Sequence, residues 1–305
     1  MNPDMTLQID PPQAANGDDR RIGLLAAWGR LPVLVAEELR RQGYHVSCLG
    51  VVGHADPHLQ EICDDFQWVG WGRLGGAIRF FRRMGVQHAT MAGKFQKVIL
   101  YQPSLWWRHL PDWTFVKTFW HFFVTKRRDR RDDTLLGTLT GAFADHGIIF
   151  HPATDYAPEL LVKPGQIAGR PPSASQQNDI QFGWEIAREM GRLDVGQSVC
   201  VKDLAVLAVE AIEGTDACIH RAGALCQAGG FTIVKVAKPQ QDMRFDVPTV
   251  GLRTLRTMVA AGAKVLAIEA GRTILLDDAE FRAYAADHKL SVVALSDQQA
   301  VEAAA

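Results

Sequence analysis

The chain is written as short apolar runs separated by segments of helical spacing. RIGLLAA at 21–27, HVSCLGVVG from His45, FQWVGW from Phe66 and HATMAGK from His88 read as buried strands, the last ending at Gly93. Between them, PVLVAEELRRQG and LGGAIRFFRRMG repeat apolar residues every three or four positions and predict amphipathic helices. The first of these opens at Pro32, a favoured first helical residue. DDTLLGTLTGAFADHG predicts a further helix, with Asp132 or Asp133 where a carboxylate suits the dipole, and IIFH closes the series as a strand. Regular alternation of strand and helix predicts an α/β fold with an N-terminal Rossmann-like parallel sheet over residues 21–153.

The second half repeats the rhythm. NDIQFGWEIAREMGRLD predicts a helix, VCVKDLAVLAVEAI a hairpin turning at Lys202-Asp203, and EGTDACIHRAGALCQAG a helix capped by Thr215 or Asp216. FTIVKVA, AKVLAIEAG, TILLDD and SVVAL read as strands, and LRTLRTMVAAG as a helix. Residues 178–305 are therefore expected to form a C-terminal α/β domain, which the charged loops below mark as the catalytic one. The stretch between the halves, ATDYAPELLVKPGQIAGRPPSASQQ, is rich in proline and small polar residues and predicts an interdomain linker over 154–177. Residues 1–20 have neither a basic start nor an apolar core and are expected to be a disordered leader.

Composition bounds the function classes. A length of 305 residues suits two domains of about 150 each. A net charge of −1 gives no whole-molecule attraction to nucleic acid. The cysteines Cys48, Cys63, Cys200, Cys218 and Cys226 are odd in number and contain no CxxC pair. That argues against a disulfide framework or a zinc site and fits a reducing cytoplasm. No apolar run reaches the roughly 18 residues of a membrane span.

Charge gathers at predicted strand and helix ends, where open α/β sheets bind ligands. The loop AKPQQDMRFDVPTVG carries Lys238, Asp242, Arg244 and Asp246. A loop that only turns the chain needs Gly, Pro, Asn or Ser; this one either closes internal salt bridges or holds something charged. Glu213-Gly214-Thr215-Asp216 and Asp132-Asp133 are two further acidic loops at helix starts. An Asp before a helix is ordinarily an N-cap worth about 1 kcal/mol. The company of Lys235, Lys238, Arg244 and Asp246 offers an alternative. Lys and Arg neutralise phosphate oxygens, while Asp holds a hard cation such as magnesium that bridges to the same phosphates. Both signs of charge therefore suit phosphoryl chemistry.

Two stretches, GRLDVGQSVCVKDLAVLAVEAIEGTDACIHRAG (191–223) and VKVAKPQQDMRFDVPTVGLRT (234–254), resemble the LpxI-type UDP-2,3-diacylglucosamine pyrophosphatases of lipid A assembly. RIGLLAAWGRLP, DDTLLGTL and FGWEIAREMGRLD are similar to that family too, so the likeness spans residues 21–296. It implies two domains with substrate between them. It also implies magnesium-dependent hydrolysis of UDP-2,3-diacylglucosamine to 2,3-diacylglucosamine 1-phosphate (lipid X) and UMP. By matching motif, Asp246 is the first-choice catalytic carboxylate, with Asp216 and Asp133 next; Asp246 and Asp216 are the implied magnesium ligands. Thr215, Lys235, Lys238 and Arg244 are expected to meet phosphate or nucleotide. Ala27, Trp28 and Gly29 after the first strand, and Gly93 and Lys94 after HATMA, are the implied substrate-binding turns. The first turn departs from the family in carrying less glycine, and residues 97–131 are longer and more aromatic.

That interval, 97–131, includes YQPSLWWRHLPDWTFVKTFWHFF, followed by Lys126, Arg127, Arg128, Arg130 and Arg131. Trp and Phe beside a basic cluster is the composition of a segment at a membrane surface. A cytoplasmic protein that touches the inner leaflet through 101–131 is one expectation; a helix packed on the first domain or against a second copy in a homo-oligomer is the other. Rival functions are weaker on motif grounds. A dinucleotide enzyme needs GxGxxG where the chain has AAWGRLP. A hydrolase of another UDP-sugar or nucleotide-linked lipid, and a non-catalytic glycolipid-binding protein, are the alternatives. His151, at a strand end beside Pro152, is read as structural.

Overall fold

The computed structural model describes residues 20–94, 109–124, 132–244 and 247–302, which fall into two compact units dividing between Pro158 and Glu159. In the first unit the elements run β1 (Arg21–Ala26), α1 (Leu31–Arg41), β2 (His45–Val51), α2 (Leu59–Ile62), β3 (Asp65–Val69), α3 (Leu74–Arg83), β4 (His88–Ala92), α4 (Trp113–Val124), α5 (Asp132–Ala144), β5 (Ile149–His151) and α6 (Ala153–Tyr156). The strands form one wholly parallel sheet in the order β3-β2-β1-β4-β5. Strands buried on both faces need apolar residues throughout, and every residue of β1 after Arg21 is buried. Chain direction through the sheet reverses between β1 and β4. That reversal opens a crevice at their C-terminal ends, the usual ligand position in such sheets.

Helix α4, the described part of the aromatic interval, is docked on the start of α3. Asp112 accepts hydrogen bonds from the amides of Phe115 (2.9 Å) and Gly76 (3.1 Å), capping α4 while gripping α3. Its own amide donates to the Gly72 carbonyl at 2.7 Å. Phe119 is buried, whereas Trp113 and Trp120 are 80% and 59% exposed. Residues 97–108 and 125–131 lie outside the described residues, as do residues 1–19.

The second unit contains β6 (Gly165–Ala168), α7 (Ala174–Arg192), β7 (Ser198–Lys202), β8 (Ala205–Val209), α8 (Thr215–Leu225), β9 (Thr232–Lys235), β10 (Thr249–Val250), α9 (Leu252–Ala261), β11 (Val265–Glu269), β12 (Ile274–Leu275), α10 (Asp278–Asp287), β13 (Ser291–Leu295) and α11 (Asp297–Glu302). A mixed sheet has the order β6-β13-β11-β9-β7-β8, parallel across β13, β11 and β9 and antiparallel outside them. Successive side chains take opposite faces. Cys200, Ile233, Leu266 and Ile268 join the core under α8, α9 and α10; Val199, Val201, Val234, Val265 and Ala267 pack with Ile180 and Trp184 of α7. A small parallel pair, β10 with β12, holds the end of the charged loop.

Residues 154–177, expected as a linker, are built into these units. They contain the rest of α6, a 3-10 turn at Pro158–Leu160, a bridge from Leu161 to Ile274, and β6 at the sheet edge. Helix α7 starts earlier than its apolar spacing suggests, because Ser173 and Gln176 form a reciprocal capping box.

One polar contact fixes the edge of the first sheet. The Asp65 carboxylate lies 2.7 Å from His45 Nε2 and accepts from Ser47 Oγ at 2.9 Å. Partial burial disfavours its charge, but the hydrogen bonds from His45 and Ser47, with the His45 and Arg21 charges, outweigh this and hold its pKa below the ordinary 3.8. A depressed carboxyl pKa contributes stability that is present above the unfolded value and lost as pH falls through the folded one. Asp65→Asn should therefore lower the urea midpoint at neutral pH, and the gap from the unmodified protein should shrink progressively as the pH falls below the ordinary carboxyl value of 3.8. A gap that persists at acid pH would show that ionised Asp65 does not stabilise this edge.

Candidate functional site

In the first unit, the sequence-predicted turns meet at the crevice between β1 and β4. The Ala27 amide donates to the Ala92 carbonyl (2.9 Å), that of Trp28 to Lys94 (3.1 Å), and that of Lys94 back to Trp28 (2.8 Å). The two turns are thus zipped together. Gly93 makes this possible: its φ is +98°, and a Cβ there would come within 2.8 Å of the Ala27 carbonyl carbon. Gly29, at φ +112°, faces open space. The structure brings Ala27, Trp28, Gly29, Gly93 and Lys94 together as expected. The Trp28 and Lys94 amides are spent on each other's carbonyls, and both residues are exposed.

In the second unit, a polar cluster lies at the C-terminal ends of the parallel strands. Lys235 closes β9 on the face that Ile233 gives to the core, so its side chain is only 4% exposed. A buried ammonium is costly unless its protons find acceptors. Lys235 Nζ donates to Thr215 Oγ1 and to the Thr249 carbonyl, each at 3.2 Å. Thr215 Oγ1 donates to Glu210 Oε1 at 3.0 Å and lies 3.4 Å from Ser198 Oγ. Glu210 is itself buried, and its second oxygen has no hydrogen-bond partner among the described residues.

Thr215 and Asp216 are not the caps that their spacing predicts. The N-cap of α8 is Gly214, at φ +83° and without a side-chain bond, because the reversal before the helix needs a left-handed residue. Both side chains are freed for tertiary contacts. Asp216 pairs with Arg253 Nε of α9 at 2.6 Å and accepts weakly from Thr257 at 3.5 Å.

The mixed-sign loop closes salt bridges. Arg244 binds Asp242 through several hydrogen bonds of 2.6–3.1 Å, and this bond raises the guanidinium pKa. Lys238 Nζ meets Asp194, just beyond α7, at 2.6 Å. The Lys238 and Gln241 backbone and side chain close a turn at 2.9 Å. Beside it, Glu269 accepts the Ala237 amide at 2.7 Å and lies 3.5 Å from Arg188 and 3.7 Å from Arg272. Asp246 lies outside the described residues. Asp133 is in the first turn of α5, and its side chain likewise lies outside them.

Sequence reasoning missed Glu210, Ser198, Arg253 and Glu269. Glu210 could have been found as a carboxylate interrupting an apolar strand, AVLAVE, just before the EGTD loop. Arg253 had no signal beyond its place in a helix. Among the described residues no three His, Cys, Asp or Glu side chains converge to hold a metal. Magnesium demands less, since it is commonly held by one or two carboxylates together with substrate phosphates and water. The oxygen donors of Asp216 and Thr215 fit such a cation in kind.

The fold and this cluster define a two-unit α/β protein with a buried cation and a carboxylate at its strand ends, chemistry suited to a phosphorylated ligand. The LpxI N-terminal domain family matches residues 21–160 and the LpxI C-terminal domain family matches residues 163–293. The chain is also 31% identical, over 92% of its length and 99% of the relative's, to the UDP-2,3-diacylglucosamine pyrophosphatase LpxI of Caulobacter vibrioides. The chain belongs to the LpxI family.

Close packing supports the cluster from behind. A Cβ on Gly196 would sit 2.1 Å from the Glu210 carbonyl oxygen. Gly196→Ala must displace the Glu210 backbone and should cost about 1–3 kcal/mol in urea unfolding. An unchanged unfolding midpoint would mean that this backbone contact is not tight.

Proposed function

We infer that this protein hydrolyses the pyrophosphate bond of UDP-2,3-diacylglucosamine, releasing 2,3-diacylglucosamine 1-phosphate and UMP in lipid A biosynthesis. The observation that carries this reading is the similarity to the Caulobacter vibrioides enzyme across nearly the whole of both chains. The cluster at the second unit's strand ends supports it chemically. In this reading Lys235 meets the diphosphate oxygens, Thr215 orients that ammonium, and Asp216 and Asp246 hold magnesium. Bound magnesium neutralises phosphate charge and makes phosphorus more open to attack. Water forms one new phosphorus–oxygen bond, the bond from that phosphorus to the bridging oxygen breaks, and a water proton is given up.

The expected assay result is UMP release that requires magnesium and stops with chelator. Asp216→Asn and Asp246→Asn should each lower kcat/KM about a hundredfold or more, as loss of electrostatic stabilisation does. Full turnover in chelator would refute the metal role. Equal turnover of a UDP-sugar without acyl chains would favour the wider reading of another UDP-sugar as substrate.

On this reading the protein works in the cytoplasm and touches the inner membrane, where a diacylated substrate resides. Among the described residues no helix is long and apolar enough to cross a membrane. Trp113 and Trp120 are exposed seven positions apart, on one side of α4. Indoles so displayed favour the lipid interface. Replacing both with Ala should reduce co-sedimentation with anionic phospholipid vesicles severalfold; unchanged sedimentation would remove α4 from membrane contact.

A further inference from the structure

We propose that Glu210 is a positioning residue for this hydrolysis: its carboxylate fixes the Thr215 hydroxyl so that the oxygen's lone pairs face Lys235. The inference rests on the diphosphate reading above and adds a residue to it. A threonine hydroxyl has one proton to give and two lone pairs to receive. An ammonium only donates and an ionised carboxylate only accepts. With Lys235 Nζ at 3.2 Å and Glu210 Oε1 at 3.0 Å, the direction is fixed: Lys235 donates to Thr215, and Thr215 donates to Glu210.

Three further observations argue that Glu210 does more than fill space. Glu210 is 7% exposed, and its Oε2 is buried without a hydrogen-bond partner among the described residues. A half-satisfied buried carboxylate is a stability cost that an uncharged amide of the same shape would reduce. Second, α8 begins at Gly214 without a side-chain cap, so Glu210 supplies a hydrogen bond that fixes the orientation of the helix's first residue. Asp216 follows directly on that turn. Third, Glu210 is seated rigidly, with its amide bound to the Ser198 carbonyl at 2.8 Å and its backbone against Gly196. Glu210 thus sets Thr215, and through the helix start it sets Asp216, without touching substrate.

The test is a double-mutant cycle of Glu210→Met and Thr215→Val, read as kcat and KM for UMP release and as Kd for inorganic pyrophosphate with magnesium. Met keeps the length of Glu but has no oxygen to accept the Thr215 proton; Val keeps the shape of Thr but loses the hydroxyl. Glu210→Met should lower kcat about tenfold or more, the scale of a displaced catalytic group, with little change in KM. In the Thr215→Val background the same change should matter less than about twofold, since coupled residues are not additive. Equal effects in both backgrounds would overturn the proposal. Coupled pyrophosphate binding without UMP release would refute the assigned reaction while upholding the role of Glu210. Absent or uncoupled pyrophosphate binding, with kinetics likewise uncoupled, would refute that role. Should the Met variant not fold, the unmodified protein still decides: the Thr215 hydroxyl proton should be visible by NMR in slow exchange, and rapid exchange with water would overturn the proposal.

Discussion

A buried ammonium is the constraint around which the second unit is arranged. Lys235 ends an apolar strand on the side that belongs to the core, where an unsolvated charge is among the costliest things a protein can hold. The compensation is drawn from separate elements: the first residue of α8, the first residue of β10, and, one hydroxyl away, the carboxylate that follows β8. These groups are far apart in sequence. They meet because β7 and β8 run antiparallel beside β9, which brings the end of β8 and the start of α8 to the edge where β9 finishes. A charge so confined is a fixed electrostatic feature, ready for an anionic group before that group arrives.

The first unit uses a different device. Its crevice follows from the order of parallel strands alone, and the turns on either side are tied by main-chain hydrogen bonds that Gly93 permits. Rigid main chain presents Trp28 and Lys94 outward there.

Much of the fold was legible because buried strands must be apolar along their length. The runs from RIGLLAA to SVVAL stand out for that reason, and the hairpin at Lys202-Asp203 is marked by its turn. The short strands β6 and β10 carry too few residues to show a period, which is why the proline-rich stretch around β6 reads as linker. Local rules also misassigned Thr215 and Asp216: their types suit an N-cap, but Gly214 takes that position and leaves them to long-range partners. The charged loop posed two options, and Arg244 with Asp242 shows that salt bridging within it is at least part of the answer. Glu210 shows in the sequence only as a carboxylate ending an apolar run; its importance comes from two residues, Thr215 and Lys235, that only the sheet brings near it.

The central claim is that Lys235 receives the diphosphate while Thr215 and Glu210 hold it in place. A crystal structure with magnesium and a non-hydrolysable analogue of UDP-2,3-diacylglucosamine tests it most directly. Phosphate oxygens are expected within hydrogen-bonding distance of Lys235 Nζ, with the Thr215 hydroxyl still donating to Glu210. Phosphates seated elsewhere, with Lys235 untouched, would contradict it.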